Sequence, residues 1–204
     1  MNLDNLSIEK IKKLDFEKLD ELASSMKEFM IDSTAITGGH IGANLSSLEI
    51  SIALHKVFNS PNDKFLFDVG HQAYAHKIIT GRASKFKDLN KYKGMARFVE
   101  QREGPHDVID VSHAGTSIPI ATGFAKSFLD NGSDSHAVAI IGDGCIVEGM
   151  SFEGLNYGVQ EKFPLVIVLI DNSWAIAPNV GGILKLTSGN NWENKSRSYF
   201  EGLG

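Results

Sequence analysis

The sequence is poor in cysteine, which limits the ways in which the chain can be stabilised. Its only cysteine is Cys145, so no disulfide can form within the chain. Structural disulfides are rare in cytosolic proteins, where thiols are kept reduced. The composition therefore predicts a protein of a reducing compartment, and the cytoplasm is the expected location.

Long hydrophobic runs are also lacking. No stretch reaches the roughly 20 apolar residues that cross a bilayer as a helix, so no association with a membrane is expected. The chain starts Met-Asn-Leu-Asp-Asn-Leu-Ser, without the basic start and apolar centre of a secretory signal. Both observations predict a cytosolic enzyme.

Positive charge is not in excess. The chain has 20 lysines and arginines against 25 aspartates and glutamates, which gives a formal net charge of −5. A protein that binds nucleic acid needs a basic face to meet the phosphate backbone. Nucleic acid is therefore not an expected partner.

What the sequence contains instead is an alternation of apolar strands with helical segments over 204 residues. The predicted strands are 64–69, 137–141 and 165–170. The predicted helices are 7–30, with Ser7 and Asp15 as N-caps, then 46–58, a helix that follows Gly70-His71 and ends near Gly81, 115–130 and 148–160, and residues 84–112 are expected to form a long loop. This order predicts an α/β fold, a doubly wound and mainly parallel sheet with helices on both faces. The length fits one domain, residues 1–204.

Polar residues directly follow two of the predicted strands. Gly142-Asp143-Gly144 follows one strand and Asp171-Asn172 the other, about thirty residues later. Ligands of open parallel sheets bind beyond the carboxyl ends of the strands, and oxygen donors suit Mg²⁺. Glycines let backbone N–H groups approach a phosphate closely. Gly-Asp-Gly alone is most often only a tight turn, but the second strand end at this spacing favours a magnesium-held phosphate.

This pair of motifs resembles the thiamine diphosphate signature of the transketolase superfamily. The flanking blocks are similar to the N-terminal part of the 1-deoxy-D-xylulose-5-phosphate synthase family. They are Gly38-Gly39-His40-Ile41-Gly42-Ala43-Asn44-Leu45, Asp68-Val69-Gly70-His71-Gln72, His76-Lys77-Ile78 with Thr80-Gly81-Arg82, and Ile176-Ala177-Pro178-Asn179-Val180-Gly181. The resemblance covers most of this chain and about the first third of the family enzyme.

The resemblance implies thiamine diphosphate and Mg²⁺ as cofactors. It makes Asp143, Asn172 and the backbone carbonyl of Trp174 the metal ligands. The cofactor-binding residues that it implies are His71, Ser112, His113, Ala114, Gly142, Gly144, Cys145, Asn172 and Ile176. Cys145 would contact the diphosphate through its backbone, as a small residue in a tight site and not as a nucleophile.

His40 matches the family histidine that assists proton transfer near the reacting carbon. An imidazole suits that role because its pKa lies near neutrality. The remaining histidines that the blocks do not explain, His55, His106 and His136, are expected to be structural.

The sequence departs from the family at two places. Ser112-His113-Ala114-Gly115-Thr116-Ser117 stands where the family usually has Gly-His-Ser-Ser-Thr-Ser, and Trp174 stands where the family has a smaller residue. These departures predict an altered pocket wall and leave the substrate open. A small phosphorylated sugar or a 2-oxo acid is the expected substrate class.

In the superfamily, a glutamate of the pyrimidine-binding domain activates the cofactor, and no acidic residue here matches its motif. The pyrimidine-binding and C-terminal domains are therefore expected outside these 204 residues. Two explanations remain open: a natural subunit that pairs with a separate pyrimidine-domain chain in a homo- or hetero-oligomer, or a piece of a longer chain. The short segment after Gly181 favours the separate subunit. The alternative function is a non-catalytic or regulatory protein that binds thiamine diphosphate.

Overall fold

The computed structural model describes residues 1–110, 113–171, 181–183, 185 and 191–203. Its centre is a parallel sheet of three strands, β1 (Lys64–Phe67), β2 (Ala137–Gly142) and β3 (Leu165–Ile170), with β2 in the middle. The register pairs Lys64 with Ala137 and Ala137 with Leu165. The parallel strands and the helices around them confirm the predicted α/β fold.

Nine α-helices surround or extend this sheet in the described part of the chain. They are α1 (Ile8–Lys13), α2 (Phe16–Thr37), α3 (Ile41–Ser46), α4 (Leu48–Val57), α5 (Tyr74–Lys77), α6 (Ser117–Asp130), α7 (Asp143–Ile146), α8 (Gly149–Gly158) and α9 (Trp192–Leu203). A π-helical turn (Ile78–Arg82) and two 3₁₀ helices (Ala83–Asp88 and Gln101–Glu103) complete the list. No helix in these described ranges is both long and apolar enough to cross a membrane.

The two faces of the sheet are covered by different helices, because alternate strand residues point to opposite sides. Ala139 and Ile141 of β2 pack with Ile118 and Ala121 of α6 on one face. Val138 and Ile140 of the same strand pack with residues such as Leu54 of α4 on the other. A third cluster, built from α1, α2, α4 and the segment after α5, forms the N-terminal part of the core.

The predicted helix caps are present, but the first predicted helix is divided. Ser7 and Asp15 accept hydrogen bonds from the backbone N–H groups of Lys10 and Lys18, and the predicted helix 7–30 is therefore two helices. The predicted helix 46–58 corresponds to α4, and the separate helix α3 precedes it. The predicted turn at Gly142-Asp143-Gly144 is instead the direct passage from β2 into α7.

The segment predicted as a long loop is fixed by a buried network of charges. Arg82 donates two hydrogen bonds to the carboxylate of Asp107, and Asp107 also accepts one from the ring of His76 at 3.1 Å. Glu103 pairs with both Lys77 and Arg82. All five side chains are nearly or fully inaccessible, so each charge depends on its partners.

Candidate functional site

The carboxyl ends of β2 and β3 lie side by side. Gly142, the last residue of β2, is paired in register with Ile170, the last residue of β3. Asp143 and Asp171 directly follow these two ends. The prediction that the two strand ends are neighbours is therefore confirmed. None of the described residues lies within 4 Å of the place where a side chain at Gly142 would project, so they leave its backbone open to a ligand.

Four of the predicted site residues lie outside the described residues: Ser112, Asn172, Trp174 and Ile176. The predicted magnesium ligands are therefore represented here by Asp143 alone, at the first position of α7. Among the described residues, no group of three or more His, Cys, Asp or Glu side chains is arranged to hold a metal ion. Such a group is not required by the predicted site, which uses one carboxylate, one amide and one carbonyl.

His40 and His71 meet although 31 positions separate them in the chain, with ring centroids 5.7 Å apart. The side chain of Asn44 holds both. Its amide nitrogen donates to the carbonyl oxygens of His40 and His71, at 2.8 and 2.7 Å. Its oxygen accepts a hydrogen bond from the backbone N–H of Tyr74 at 2.7 Å. One fully buried amide thus fixes the backbone at both histidines.

Both rings are held in the neutral form near pH 7. Burial, and then the charge of Arg97, lower the pKa of His40. Burial also lowers the pKa of His71; the nearby His40 adds to this effect, and Asp68 opposes it. A neutral imidazole can accept a proton. The Nδ1 atom of His40 is buried and has no hydrogen-bond partner in the described part of the chain.

Asp68 joins the end of β1 to the start of α6. Its two carboxylate oxygens accept hydrogen bonds from the backbone N–H groups of Gly115 and Ser117, each at 2.9 Å. Asp68 is fully buried, so this pairing satisfies a charge that water cannot reach. The hydroxyl of Ser117 is buried at the same place, without a hydrogen-bond partner among the described residues.

Cys145 is a buried thiol and not an activated one. Burial, and then the charge of Asp68 and a hydrogen bond with it, raise the pKa of the Cys145 thiol to about 12. A reactive cysteine needs a thiolate, which these surroundings disfavour. The expectation that Cys145 is a small residue in a tight site is consistent with this environment. Gly144, which precedes it in α7, is partly buried.

The departure from the family pattern at Gly115 has a steric reason. Gly115 adopts φ +79°, and a Cβ atom there would lie 2.6 Å from the Cβ of Glu148. Only glycine fits this position without a shift of the chain. Of its neighbours, Ala114 packs against the sheet core and His113 is exposed.

Sequence reasoning assigned no role to Asn44 or Asp68, the two residues that organise this region. Both lie within the motif blocks, and Asp68 follows the end of a buried strand, which is a usable signal. Asn44 gave no such signal, because its partners lie up to 30 positions away in the sequence.

Most of the chain is similar to proteins of one known family. The sequence model of a family described as 1-deoxy-D-xylulose-5-phosphate synthase matches residues 3–200. The synthase of that name from Macrococcus caseolyticus is 49% identical over 173 residues, which are 85% of this chain and 28% of that protein. The one from Alkaliphilus oremlandii is 43% identical over 192 residues, 94% of this chain and 30% of that protein. The chain thus spans less than a third of the length of these relatives.

Solved structures give the same fold. A transketolase variant from Pichia stipitis aligns with a TM-score of 0.62 at 21% identity, over 89% of this chain and 30% of that one. A second variant of that transketolase aligns with a TM-score of 0.64 at 19% identity and the same coverage. At these identities the likeness concerns the fold alone.

Proposed function

This chain belongs to the 1-deoxy-D-xylulose-5-phosphate synthase family, and from that membership we propose that it is the diphosphate-binding part of a thiamine diphosphate-dependent transferase. The enzyme would transfer a two- or three-carbon ketol or acyl unit from a 2-oxo acid or a ketose phosphate to an aldehyde. Residues 1–204 would form one diphosphate-binding domain of that enzyme.

The observation that carries this proposal is the meeting of His40 and His71 on the side of the sheet where the strands end. His71 follows β1 by four positions, and the parallel strands β2 and β3 end at the same edge. Ligands of such sheets bind at this edge. The side chain predicted to transfer a proton, His40, would therefore lie on the same side of the fold as the segment predicted to bind phosphate, Gly142-Asp143-Gly144.

The residues at this edge fit the cofactor. Asp143 would bind Mg²⁺ together with Asn172 and the carbonyl of Trp174, and all three offer the hard oxygen or amide-oxygen donors that magnesium prefers. The open space at Gly142 leaves room for a diphosphate, and the backbone of Gly144 and Cys145 would contact it. The ring of His71, residues 112–114 and Ile176 would form further contacts.

His40 would move the proton. When bound, thiamine diphosphate would supply a nucleophilic carbon for the carbonyl group of the donor substrate. Because burial lowers the pKa of His40, its neutral ring has an unprotonated nitrogen that would take up a proton from the bound substrate and return it in a later step.

The pyrimidine-binding half of the site would come from a further domain, either in a separate subunit or elsewhere in a longer chain. The assembly would be a homo- or hetero-oligomer in the first case. The protein encoded by the adjacent reading frame is the first partner to test.

Binding and turnover separate this proposal from non-catalytic cofactor binding. Calorimetric titration of the chain with thiamine diphosphate and Mg²⁺ should give binding that Asp143→Ala abolishes. Turnover should be assayed with the pyrimidine-domain partner, pyruvate and an aldose phosphate. His40→Ala should lower turnover by about 10²–10⁴-fold, the usual contribution of a general acid–base group, with cofactor affinity nearly unchanged.

His136→Ala is the matched control, because the side chain of His136 is 45% exposed and lies outside the site. This variant should leave both the affinity for the cofactor and the turnover unchanged. Tight cofactor binding without turnover on any 2-oxo acid or ketose phosphate would instead identify a non-catalytic binding protein. Failure to bind the cofactor at all would contradict both functions.

A further inference from the structure

Arg97 is a charged residue that the proposed function does not use, and it lies beside the histidine pair. The ring of its neighbour Phe98 lies near the ring of His40, with the centroids 6.0 Å apart and the planes tilted by 30°. Arg97 itself is exposed. In the described ranges of the chain, no carboxylate lies within ion-pair distance of its guanidinium, whereas Arg82 and Arg102 both have acidic partners.

The backbone that carries Arg97 is fixed from both sides. Lys77 donates a hydrogen bond to the carbonyl oxygen of Ala96 at 2.8 Å, and the backbone N–H of Ala96 donates to Glu103 at 2.7 Å. Lys77 and Glu103 are also paired with each other at 2.7 Å, and both are nearly inaccessible. A residue held in this way presents its side chain with little loss of backbone freedom on binding.

A second contact fixes the same segment against the turn before His40. The amide nitrogen of Asn90 donates to the carbonyl oxygens of Thr37 and Gly38, at 3.3 and 3.2 Å. The segment 90–98 therefore contacts the region of the histidine site at both of its ends, through Asn90 and Phe98.

The charge of Arg97 acts on the groups around it. After burial, it is the second cause of the lowered pKa of His40. It also opposes the rise that burial causes in the pKa of Tyr74, whose hydroxyl accepts a hydrogen bond from the backbone N–H of His40 at 3.4 Å. The other titratable group facing His40 is the ring of His71. The positive charge of Arg97 acts on the neutral His40 ring, and in the described ranges no carboxylate lies within ion-pair distance of its guanidinium, which favours an anion at this place.

We propose that Arg97 binds the anionic group of the substrate, a carboxylate or a phosphate, directly beside His40. The inference rests on the proposed function for the identity of the substrate, but the anion site itself does not depend on cofactor binding. A guanidinium matches both anions because its N–H groups form paired hydrogen bonds to two oxygens. In this arrangement the anchored substrate would present its carbonyl group to the His40 ring.

The test follows the ring signals of His40 in the full chain by NMR, with inorganic phosphate and pyruvate as separate probes. At least one probe should shift the His40 signals in a saturable way. Arg97→Gln should weaken that binding by about 10–100-fold, the value of a charge-assisted paired hydrogen bond. It should also raise the pKa of His40, since a neighbouring positive charge is removed. Arg97→Lys should bind the probe with an affinity between those of the natural chain and Arg97→Gln, because lysine keeps the charge but loses the paired hydrogen bonds.

Arg102→Gln is the matched control, an exposed arginine of the same segment that is already paired with Glu100. It should leave both the binding and the pKa of His40 unchanged. Saturation by pyruvate alone assigns the site to a carboxylate, and saturation by phosphate alone assigns it to a phosphorylated substrate. If neither probe moves His40, or if Arg97→Gln binds them as the natural chain does, the proposal is wrong.

Failure of the anion site can be distinguished from failure of the proposed function. Thiamine diphosphate binding is measured separately, and Arg97→Gln should leave it unchanged. In the complete enzyme, Arg97→Gln should raise KM for the anionic donor far more than it lowers kcat. Loss of thiamine diphosphate binding with an intact anion site would contradict the proposed function only.

Discussion

At the scale of single residues, Asn44 has the largest influence on the geometry of the histidine pair. Its side chain forms three hydrogen bonds to the backbone of residues that flank or belong to the site. The Asn44 side chain and its bond to the N–H of Tyr74 are buried, so water cannot readily replace the amide there. The spacing of His40 and His71 is therefore a consequence of a residue that carries no chemistry itself.

Asn44→Ala should lower the free energy of unfolding by about 2–4 kcal/mol, because it removes three hydrogen bonds and leaves the buried N–H of Tyr74 without this partner. Urea denaturation followed by circular dichroism measures this loss. Asn131→Ala is the control, since the Asn131 side chain is exposed and bonds only within its own helix region. If both variants lose the same free energy of unfolding, the buried hydrogen bonds of Asn44 contribute no more to stability than the exposed ones of Asn131.

Two glycines of one region should respond to alanine with opposite signs. Gly115→Ala should destabilise the chain by about 1–3 kcal/mol, because its φ of +79° is strained for alanine and the new Cβ meets Glu148. Gly123→Ala should stabilise it by about 0.5–1 kcal/mol, because Gly123 lies inside α6 and a Cβ there meets nothing within 4 Å. Thermal unfolding of the two variants beside the natural chain checks both signs. A stable Gly115→Ala variant would contradict the steric explanation for this departure from the family pattern.

At the scale of elements, the buried network joins the π-helical turn to the segment before α6. The surroundings displace the pKa values of two of its members, His76 and Asp107. Burial lowers the pKa of His76 to about 4, against the opposing effect of Asp107. Burial would raise the pKa of Asp107, but the hydrogen bonds from His76 and Arg82 lower it well below its usual range. This network, and not regular secondary structure, holds the segment in place.

The stability of the chain should therefore fall as the pH falls from 6.5 to 4. In that window the unfolded chain binds a proton at His76 and the folded chain does not, so acid favours unfolding. One such group contributes a slope of about 1.4 kcal/mol per pH unit. The contribution of Asp107, whose folded pKa is depressed, is lost only at lower pH. Urea unfolding at a series of pH values measures the slope.

His76→Gln should reduce this slope between pH 6.5 and 4, whereas His136→Gln, at a partly exposed ring, should leave it unchanged. An unchanged slope in His76→Gln would show that His76 does not titrate differently in the two states.

At the scale of the whole molecule, the predicted magnesium site links cofactor binding to stability. A ligand at 100 times its Kd adds about 2.7 kcal/mol, provided that it binds only the folded chain. For a chain of this size that corresponds to a rise in Tm of about 5–10 °C. Thiamine diphosphate with Mg²⁺ should give this rise, and chelation of the metal by EDTA should remove most of it.

The matched pair for that measurement is Asp143→Asn and Asp134→Asn. Asp143 is the predicted metal ligand, and Asp134 is exposed in the segment between α6 and β2. The first variant should abolish the rise in Tm and the second should keep it. If both variants keep it, Asp143 does not hold the metal.

Much of this molecule follows from local sequence. The apolar run at 165–170 became β3 with the same bounds, and Ser7 and Asp15 cap helices because a short polar side chain can reach the nearby N–H groups. The order of strands and helices was enough to predict a parallel sheet, because parallel strands need helical crossovers. The motif blocks were enough to point to the family.

Other features were decided only by the tertiary structure. The clamp of Asn44 on His71, the bond of Asp68 to Ser117 and the pairing of Arg82 with Asp107 join residues 25 to 49 positions apart. The exposed charge of Arg97 at the histidine pair also depends on such contacts. Periodicity and propensity describe interactions within a few residues, whereas these pairs form only when packed elements bring distant backbone and side-chain groups within hydrogen-bonding distance. The sequence by itself determined the fold class and the family, and the packing decided which residues surround the proposed site.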